Sequence, residues 1–491
     1  MKDSIQDLRV ENSFADLPPS FYTRLPPQPL TEPRLLHANA DVAALLDLSP
    51  AALGRPDFLD VVAGNGPLPG GQPLAAVYSG HQFGIWAGQL GDGRAHLLGE
   101  VLSPSGRWEL QLKGSGRTPY SRMGDGRAVL RSSVREYLAG EAMAGQGIAT
   151  TRSLALVVSQ DPVYRETVET AAIVTRVSPS FVRFGSFEHW SSSPENLGAL
   201  LDYVVDRHYP ECRDAVDGAP ATQEQVALRF LRAVTLRTAR LMADWQTAGF
   251  CHGVMNTDNM SIVGLTLDYG PYGFMDAFQV DHVCNHSDSQ GRYAWNAQPS
   301  VAHWNLYRLA SALLGLGIEA DALKDQLQQF EPAFLQAYRA NLCRKLGLQQ
   351  WVDGDEQLVD DWWRLLHTQK ADFTLSFRSL ALAPQDASGF FQRFVERDEA
   401  GAWLDRYVQR LAQDQRPDAE RIDQMNRSNP LYVLRNHLAE GAIRAAAQGD
   451  AGEIETLLAL LRDPYTEKPG FESYAAVPPD WAGQLSVSCS S

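Results

Sequence analysis

Three residues in a short stretch of the sequence could bind a metal ion and the phosphates of a nucleotide. Asp258 and Asn259 stand side by side, and Asp268 follows nine residues after Asn259. Carboxylate and amide oxygens are the hard ligands that Mg²⁺ prefers, and Mn²⁺ accepts the same ligands. The pattern therefore predicts a metal site built from Asn259 and Asp268, where a cation would neutralise phosphate charge.

The spacing is similar to that of a kinase catalytic loop, H-x-D-x-x-x-x-N, which is followed by a metal-binding D-F-G segment. His252, Asn259 and Asp268 occupy the matching positions, but Val254 stands where the proton-accepting Asp of the loop belongs. An acid is found instead at Asp258. We therefore expect chemistry that differs from that of an ordinary kinase. We expect His252 to hold the backbone by hydrogen bonding rather than to act as a base.

Upstream residues have the order of a nucleotide-binding lobe. The segment 88–94 is rich in glycine, which lets backbone N–H groups approach phosphate oxygens. Lys113 ends a predicted strand, and Glu136 lies in a predicted helix where the two could form an ion pair. Taken singly, a plain hairpin turn, a surface lysine and a solvated glutamate also fit these residues.

A basic, glycine-rich loop follows Lys113 and runs to residue 127, at a position where ordinary kinases have no insertion. It contains Asp125 and Gly126, and further guanidinium groups follow at Arg176 and Arg183. Guanidinium groups suit phosphate because they donate two parallel hydrogen bonds. A surface loop with scattered arginines is the alternative. The arginines of the loop itself are Arg117, Arg122 and Arg127.

The predicted secondary structure that must position these residues changes along the chain. A proline-rich N-terminal arm precedes a region of predicted strands around one helix, and the rest is mostly helical. A long amphipathic helix is expected to stop at Gly249, just before the catalytic-loop candidate. The predicted strands are residues 83–87, 96–102, 108–113, 155–159 and 172–177, and the predicted helices include 128–144, 226–245 and most of 299–460.

The composition of the chain limits the functional classes to which the protein can belong. The chain has 491 residues and a formal net charge of -16, which argues against a nucleic-acid binder. Neither an apolar run long enough to span a membrane nor a secretory signal is found, so we expect a cytoplasmic location. The five cysteines are scattered without a C-x-x-C pair, which predicts neither a disulfide framework nor a zinc site.

These motifs, in this order, resemble those of the selenoprotein O (SelO, YdiU) family, over nearly the whole chain. The resemblance implies an α+β, protein-kinase-like bilobal fold: a small antiparallel β-rich N-lobe and a helical C-lobe, with an N-terminal arm and a helical C-terminal extension. The implied boundaries are 1–75 for the arm, 76–190 for the N-lobe, 191–300 for the C-lobe with the catalytic loop, and 301–491 for its continuation and tail. Further matching segments are 14–18, 78–84, 112–116, 268–271 and 429–436.

The resemblance also implies an activity: transfer of AMP from ATP, bound in an inverted orientation, to Ser, Thr or Tyr hydroxyls of proteins. Lys113 would contact phosphates with Glu136 as its partner, Asn259 and Asp268 would bind Mg²⁺ or Mn²⁺, and Asp258 would accept the hydroxyl proton. The other implied nucleotide-binding residues are Gly91, Gly93, Arg94, Asp125, Gly126, Arg176 and Arg183.

Three alternatives stay open at this stage. UMP transfer uses another nucleotide donor, a conventional phosphotransferase would transfer the γ-phosphate, and an inert pseudokinase scaffold would bind nucleotide without turnover. Val254 counts against the phosphotransferase, and the presence of Lys113, Asn259 and Asp268 together counts against the scaffold. Some relatives carry selenocysteine near the C-terminus, where this chain has Cys489, so a redox-linked pair of Cys489 with Cys284 is a further hypothesis.

Overall fold

The computed structural model describes residues 1–215 and 218–487, as a mixed α/β protein with one large antiparallel sheet and many helices. Strands form where β-branched and leucine side chains alternate or run continuously. The strands are β1 Val10–Glu11, β2 Tyr22–Arg24, β3 Arg34–Ala38, β4 Leu74–Gln82, β5 Ile85–Gly91, β6 Ala95–Ser103, β7 Gly106–Lys113, β8 Ala128–Val129, β9 Arg152–Tyr164, β10 Val168–Ser178, β11 Phe250–Cys251 and β12 Gly273–Phe274.

The main sheet has the strand order β2-β4-β6-β7-β10-β9-β3, with β1, β5 and β8 attached to β6, β4 and β10. Strand β7 is central, and its last residue Lys113 lies opposite Val174 of β10 and Ala95 of β6. Both faces of the sheet are covered. Leu97 and Val174 pack into one hydrophobic core, while Leu112 and Ile173 pack into another on the opposite face.

The N-terminal arm is less extended than its proline content suggests. It contributes three short strands to the sheet and two short helices, and the buried Val42 and Phe58 of those helices belong to the second core. The arm therefore covers one face of the sheet that carries Lys113.

Most of the helices follow the last strand of the main sheet in the chain. The 26-residue helix starts at a capping box of Thr222 and Gln225 and ends at Gly249, whose φ of +66° is the left-handed stop that the sequence predicts. The helices are α1 Ala40–Leu45, α2 Pro56–Val62, α3 Leu130–Gly145, α4 Phe184–His189, α5 Pro194–His208, α6 Gln223–Ala248, α7 Gln298–Leu313, α8 Ala320–Leu327, α9 Phe330–Leu346, α10 Asp355–Gln369, α11 Phe373–Ser379, α12 Ser388–Phe391, α13 Arg397–Leu411, α14 Asp418–Ser428, α15 Asn436–Ala447 and α16 Gly452–Arg462.

The prediction for the first strands is wrong in one respect. The strand expected at 83–87 is the start of β5, and β4 precedes it as the other half of a hairpin. Phe83 and Gly84 form the turn with φ of +50° and +82°, the two positive values that a tight hairpin turn needs. Strand β4 was missed because its Ala75, Ala76 and Gly80 have weak strand propensity. The glycine-rich segment 88–94 consequently spans the end of β5 and the loop to β6.

Among the residues that the structure describes, no helix is both long and apolar enough to cross a bilayer.

Candidate active site

A cavity of about 520 Å³ lies where the sheet meets the segment that follows α6. Its walls come from β4, β5, the loop 114–127, the end of β10 and the segment 254–271. It brings together Gly91, Gly93, Arg94, Lys113, Asp125, Gly126, Arg176, Arg183, Asp258, Asn259 and Asp268, which are all the sequence-predicted site residues except Glu136.

A chain of ion pairs runs along one wall of this cleft. Lys113 Nζ donates to Glu136 Oε2 at 2.5 Å, and Arg176 Nε donates to the other oxygen of Glu136 at 2.5 Å. Arg176 Nη2 in turn donates to Asp268 Oδ1 at 2.6 Å. Burial and the charge of Arg176 lower the pKa of Lys113 to about 8, while Glu136 opposes this shift, so the lysine is still a cation at pH 7.

Asp268 is held between two guanidinium groups. Arg183 donates to its Oδ2 and also, at 2.7 Å, to the backbone oxygen of Asp258. Burial alone would raise the pKa of Asp268, but the charges of Arg183, Arg176 and Lys113 outweigh it and hold the pKa well below its usual range. Asp268 has a φ of +58°, a conformation that side-chain-bearing residues adopt at a cost and that clusters at functional sites.

Asp258 has the opposite environment within the same cleft. Its Oδ2 accepts one hydrogen bond, from Gln82 Nε2 at 3.1 Å. Its Oδ1 is buried with no hydrogen-bond partner among the described residues. Burial raises the pKa of Asp258 to about 6, and the hydrogen bond from Gln82 opposes the rise.

Asn259 is oriented by its own loop. Its Nδ2 donates to the Val254 carbonyl at 3.0 Å, which leaves the amide oxygen available for another partner. The same loop is tied to the β4–β5 hairpin, because Asn256 Oδ1 accepts from the backbone N–H of Phe83 at 3.2 Å. The hydroxyl of Thr257 accepts from His81 N–H at 2.7 Å and donates to Glu188.

His252 has the structural environment that the sequence predicts. Its Nε2 lies 2.9 Å from the Leu267 carbonyl, and its ring stacks on Trp245 with centroids 5.2 Å apart. Burial lowers the pKa of the imidazole. The ring therefore joins the catalytic-loop candidate to the segment that carries Asp268.

The basic insertion folds back over the glycine-rich segment. Thr118 Oγ1 donates to the Asp92 carbonyl at 2.7 Å, and Ser121 donates to the Gly93 carbonyl. A Cβ on Gly91, whose φ is +151°, would lie 2.4 Å from the Tyr120 ring, so this packing requires glycine. Arg94 lines the cavity with an exposed side chain.

Asp125 and Gly126 shape the other end of the insertion. Asp125 accepts two hydrogen bonds from Arg165, at 2.7 and 3.0 Å, and the bonds from Arg165 keep its pKa below the usual range. Gly126 has a φ of +74°, and a Cβ there would lie 2.2 Å from the Gly116 backbone. These two residues therefore fix the shape of the loop around the cavity.

Four residues of the site were not singled out from the sequence. Gln82 bonds Asp258, Arg165 bonds Asp125, and Gln111 accepts from Arg176 at 3.1 Å. Asp92 is buried, and burial raises its pKa to about 6. Gln82 and Asp92 lie within segments quoted as motifs, but nothing in the sequence pointed to their contacts, and Arg165 and Gln111 carried no signal.

The oxygen atoms present fit a hard divalent cation. Asp268 is kept ionised, the amide oxygen of Asn259 is available, and Asp258 carries a buried oxygen without a partner. Both oxygens of Asp268 also accept from guanidinium groups, so a cation here would share this carboxylate with Arg176 and Arg183.

Of the predicted cysteine pair, only Cys284 can be described. Its Sγ donates to the Cys251 carbonyl at 3.4 Å. Cys489 lies outside the described residues, so the pairing stays a prediction.

Comparison with known proteins gives a consistent result. The family model "Protein adenylyltransferase SelO" matches residues 4–462. The chain is 66% identical to a protein of Bordetella petrii over 493 residues, covering 99% of both chains. It is 65% identical to a protein of Bordetella avium, covering 100% of both, and 53% identical to one of Ralstonia nicotianae, covering 97% of this chain and 95% of the relative. All three relatives carry the name protein nucleotidyltransferase YdiU.

Proposed function

Because the chain belongs to the SelO family of protein adenylyltransferases, we propose that its cleft transfers AMP from ATP to a Ser, Thr or Tyr hydroxyl of a protein and releases pyrophosphate. The observation that carries this assignment to particular residues is that one cleft holds two largely buried acids in opposite surroundings. Asp268 is ionised and paired with arginines, whereas Asp258 has an unpaired oxygen.

We propose a kinase-like arrangement for this chemistry. The sheet with α3 would act as the N-lobe and the helices from α4 onward as the C-lobe. The Lys113–Glu136 pair between β7 and α3 and the loop after α6 support this reading, since both have the counterparts expected of a kinase fold.

ATP would be held by the groups that line the cavity. The backbone around Gly91 and Gly93, together with the insertion folded over it, offers a close approach for phosphate oxygens. Lys113, Arg94, Arg176 and Arg183 supply positive charge. The inverted orientation of ATP is supported by the insertion, because Asp125 and Gly126 form a wall that ordinary kinases lack.

Asn259 and Asp268 would hold a divalent ion, Mg²⁺ or Mn²⁺. When bound, that ion would supply charge neutralisation at the phosphates. Asp268 suits the role because its low pKa keeps it ionised at any physiological pH. Arg176 and Arg183 already neutralise it, and in the nucleotide complex their remaining N–H groups would be turned toward phosphate oxygens.

Asp258 would accept the proton of the attacking hydroxyl. The hydroxyl oxygen forms a bond to the α-phosphorus, and the bond from that phosphorus to the bridging oxygen breaks. Pyrophosphate leaves with the bridging oxygen, and the hydroxyl proton passes to the carboxylate of Asp258, a residue that lines the cavity. A pKa of about 6 leaves this carboxylate mostly ionised at pH 7 while keeping it basic enough to accept a proton.

The test is to incubate the purified protein with Mg²⁺ and either α-labelled or γ-labelled ATP, and to separate proteins under denaturing conditions. We expect label only from the α position. Label from γ alone would make the protein a phosphotransferase, and no label from either would favour the inert scaffold. A parallel sample with α-labelled UTP, and repeats with Mn²⁺, compares UMP with AMP transfer under both metals.

A further inference from the structure

An unusual surface lies beside the mouth of the cleft, on the tip of the β4–β5 hairpin and the neighbouring helix α7. Ile85 and Trp86 of the hairpin are 74% and 49% exposed, which is high for side chains of this size. Trp304 of α7 lies next to them through His81, whose ring is 5.0 Å from Trp86 and 5.5 Å from Trp304. We call this surface the hairpin patch: Ile85, Trp86, Arg292, Trp304 and Arg308.

The hairpin patch begins directly next to the proposed proton acceptor. In the hairpin, Ile85 pairs with Gln82 and Trp86 pairs with His81. Gln82 bonds the carboxylate of Asp258. Ile85 therefore shares a face of the hairpin with Gln82, and a bound chain that delivers a hydroxyl to Asp258 would pass over Ile85 at the hairpin tip.

The patch also carries unsatisfied positive charge. The guanidinium groups of Arg292 and Arg308 lie 4.8 and 5.1 Å from the ring centre of Trp304. Neither forms an ion pair with a carboxylate of residues 1–215 or 218–487, and the Nε of each is buried with no hydrogen-bond partner there. In a chain with a net charge of -16, two such guanidinium groups beside the cleft indicate a negatively charged partner.

We propose that the hairpin patch binds the segment of the substrate protein that flanks the modified hydroxyl, and that it selects a segment with a carboxylate next to an apolar side chain. A guanidinium group stacked on an indole keeps its edge free to bind a carboxylate. Exposed isoleucine and tryptophan supply the apolar contact that anchors such interfaces. The inference rests on the proposed protein adenylyl transfer and adds a substrate preference to it.

The experiment uses the full-length protein with Mg²⁺, α-labelled ATP and three synthetic peptides. Each peptide contains one serine, one threonine and one tyrosine, and the residues that flank them are Asp and Leu, Lys and Leu, or Asp and Gly. The variants are Arg308→Ala and Trp86→Ala. The control is Arg444→Ala, because Arg444 likewise lies over a half-exposed tryptophan, Trp481 at 5.4 Å, on another part of the surface.

We expect the Asp–Leu peptide to be modified with a kcat/KM about tenfold higher than either other peptide. Arg308→Ala and Trp86→Ala should each raise the KM for this peptide at least about fivefold, with the KM for ATP unchanged. Arg444→Ala should change neither value. Arg308→Ala should also remove the preference for Asp over Lys, whereas Trp86→Ala should remove the preference for Leu over Gly.

Equal modification of the three peptides, or variant effects no larger than that of Arg444→Ala, would overturn the proposal. Binding of a fluorescent Asp–Leu peptide is measured by fluorescence anisotropy without ATP. This measurement separates failure of the patch proposal from failure of the proposed function. Binding that Arg308→Ala abolishes, without any transfer of label, would support the patch and refute the transferase. Transfer to proteins with no binding or labelling of the Asp–Leu peptide would refute the patch alone.

Discussion

Asp258 and Asp268 lie in the same cleft and are both largely removed from water, yet their surroundings affect them in opposite ways. At Asp268 the two arginines more than compensate for burial and keep the acid ionised. At Asp258, whose carboxylate has Gln82 as its only side-chain donor among the described residues, burial prevails and the pKa rises to about 6. The difference shows that burial alone does not decide a carboxylate's role. Partners separate an acid suited to binding a cation from one suited to accepting a proton.

The largest expected effect comes from removing the paired acid. Asp268→Ala should abolish metal-dependent ATP binding and lower AMP transfer by on the order of 10³-fold or more, because the cation loses its charged ligand. ATP binding measured by calorimetry with and without Mg²⁺ checks the first effect. Transfer equal to wild type would refute the metal role.

This variant also leaves Arg183 without a carboxylate partner and Arg176 with Glu136 alone, which should lower the free energy of unfolding by about 3 kcal/mol. Asp268→Asn keeps the shape of the side chain and one of its two acceptor oxygens. Asp268→Asn and Asp268→Ala should lose activity alike, but Asp268→Asn should unfold at a higher temperature than Asp268→Ala. This result would separate the effect on catalysis from the effect on stability.

Removing the carboxylate of Asp258 should affect the rate of transfer rather than the binding of nucleotide. Asp258→Asn should lower transfer by about 10²-fold while the affinity for Mg²⁺ and ATP stays close to wild type, since its oxygen is proposed to act on the hydroxyl proton. Single-turnover rates and nucleotide affinities, measured on the same preparation, test this split. An equal loss of both would contradict the proton-acceptor role and remove the functional distinction between the two acids.

A smaller effect is expected from removing Gln82, which donates to Asp258. Because the hydrogen bond from Gln82 lowers the pKa of Asp258, Gln82→Leu should raise that pKa further. The carboxylate then stays protonated to a higher pH, so the acid limb of the kcat profile should move to higher pH. We expect transfer about threefold slower at pH 7 and close to wild type at pH 9.

The matched control is Gln89→Leu, an exposed glutamine on the same hairpin. It should leave the pH profile of kcat unchanged. A uniform loss of rate at every pH in Gln82→Leu would mean that the glutamine shapes the hairpin rather than the ionisation of Asp258.

The effect of burial without a partner can also be measured far from the cleft, at Lys345 of α9. Burial lowers the pKa of Lys345 from 10.5 to about 7, and its Nζ lies 4.4 Å from the Phe377 ring without an ion pair to any described carboxylate. Between these two pH values the unfolded chain binds a proton that the folded protein does not. The free energy of unfolding should therefore rise with pH across that window.

Lys345→Met should remove this rise, and the exposed Lys324→Met should not. Urea unfolding at pH 7 and pH 9 gives the comparison. Identical pH slopes in wild type and Lys345→Met would contradict the view that burial dominates at unpaired charges in this protein.

Some of the site could be predicted because its signal is contiguous in the chain. The loop 252–259 and Asp268 are recognisable from spacing alone, and the stop of α6 at Gly249 follows from glycine's tolerance of positive φ. The Lys113–Glu136 contact follows from a strand and the helix after it. The fold was harder to predict from the sequence than the site. Strand β4 has few β-branched residues, and the arm's strands are held by the sheet they join rather than by their own propensity.

The amino-acid sequence by itself determined the family and the set of oxygen and nitrogen groups available to the cleft, because motif residues and their spacing can be recognised without knowledge of the fold. Only the tertiary structure decided how the two acids differ. Asp268 meets Arg176 across 92 residues of chain, and Asp258 meets Gln82 across 176. The pKa of a carboxylate depends on desolvation and on charges within a few ångströms, and these are properties of packing between distant segments that no local pattern encodes.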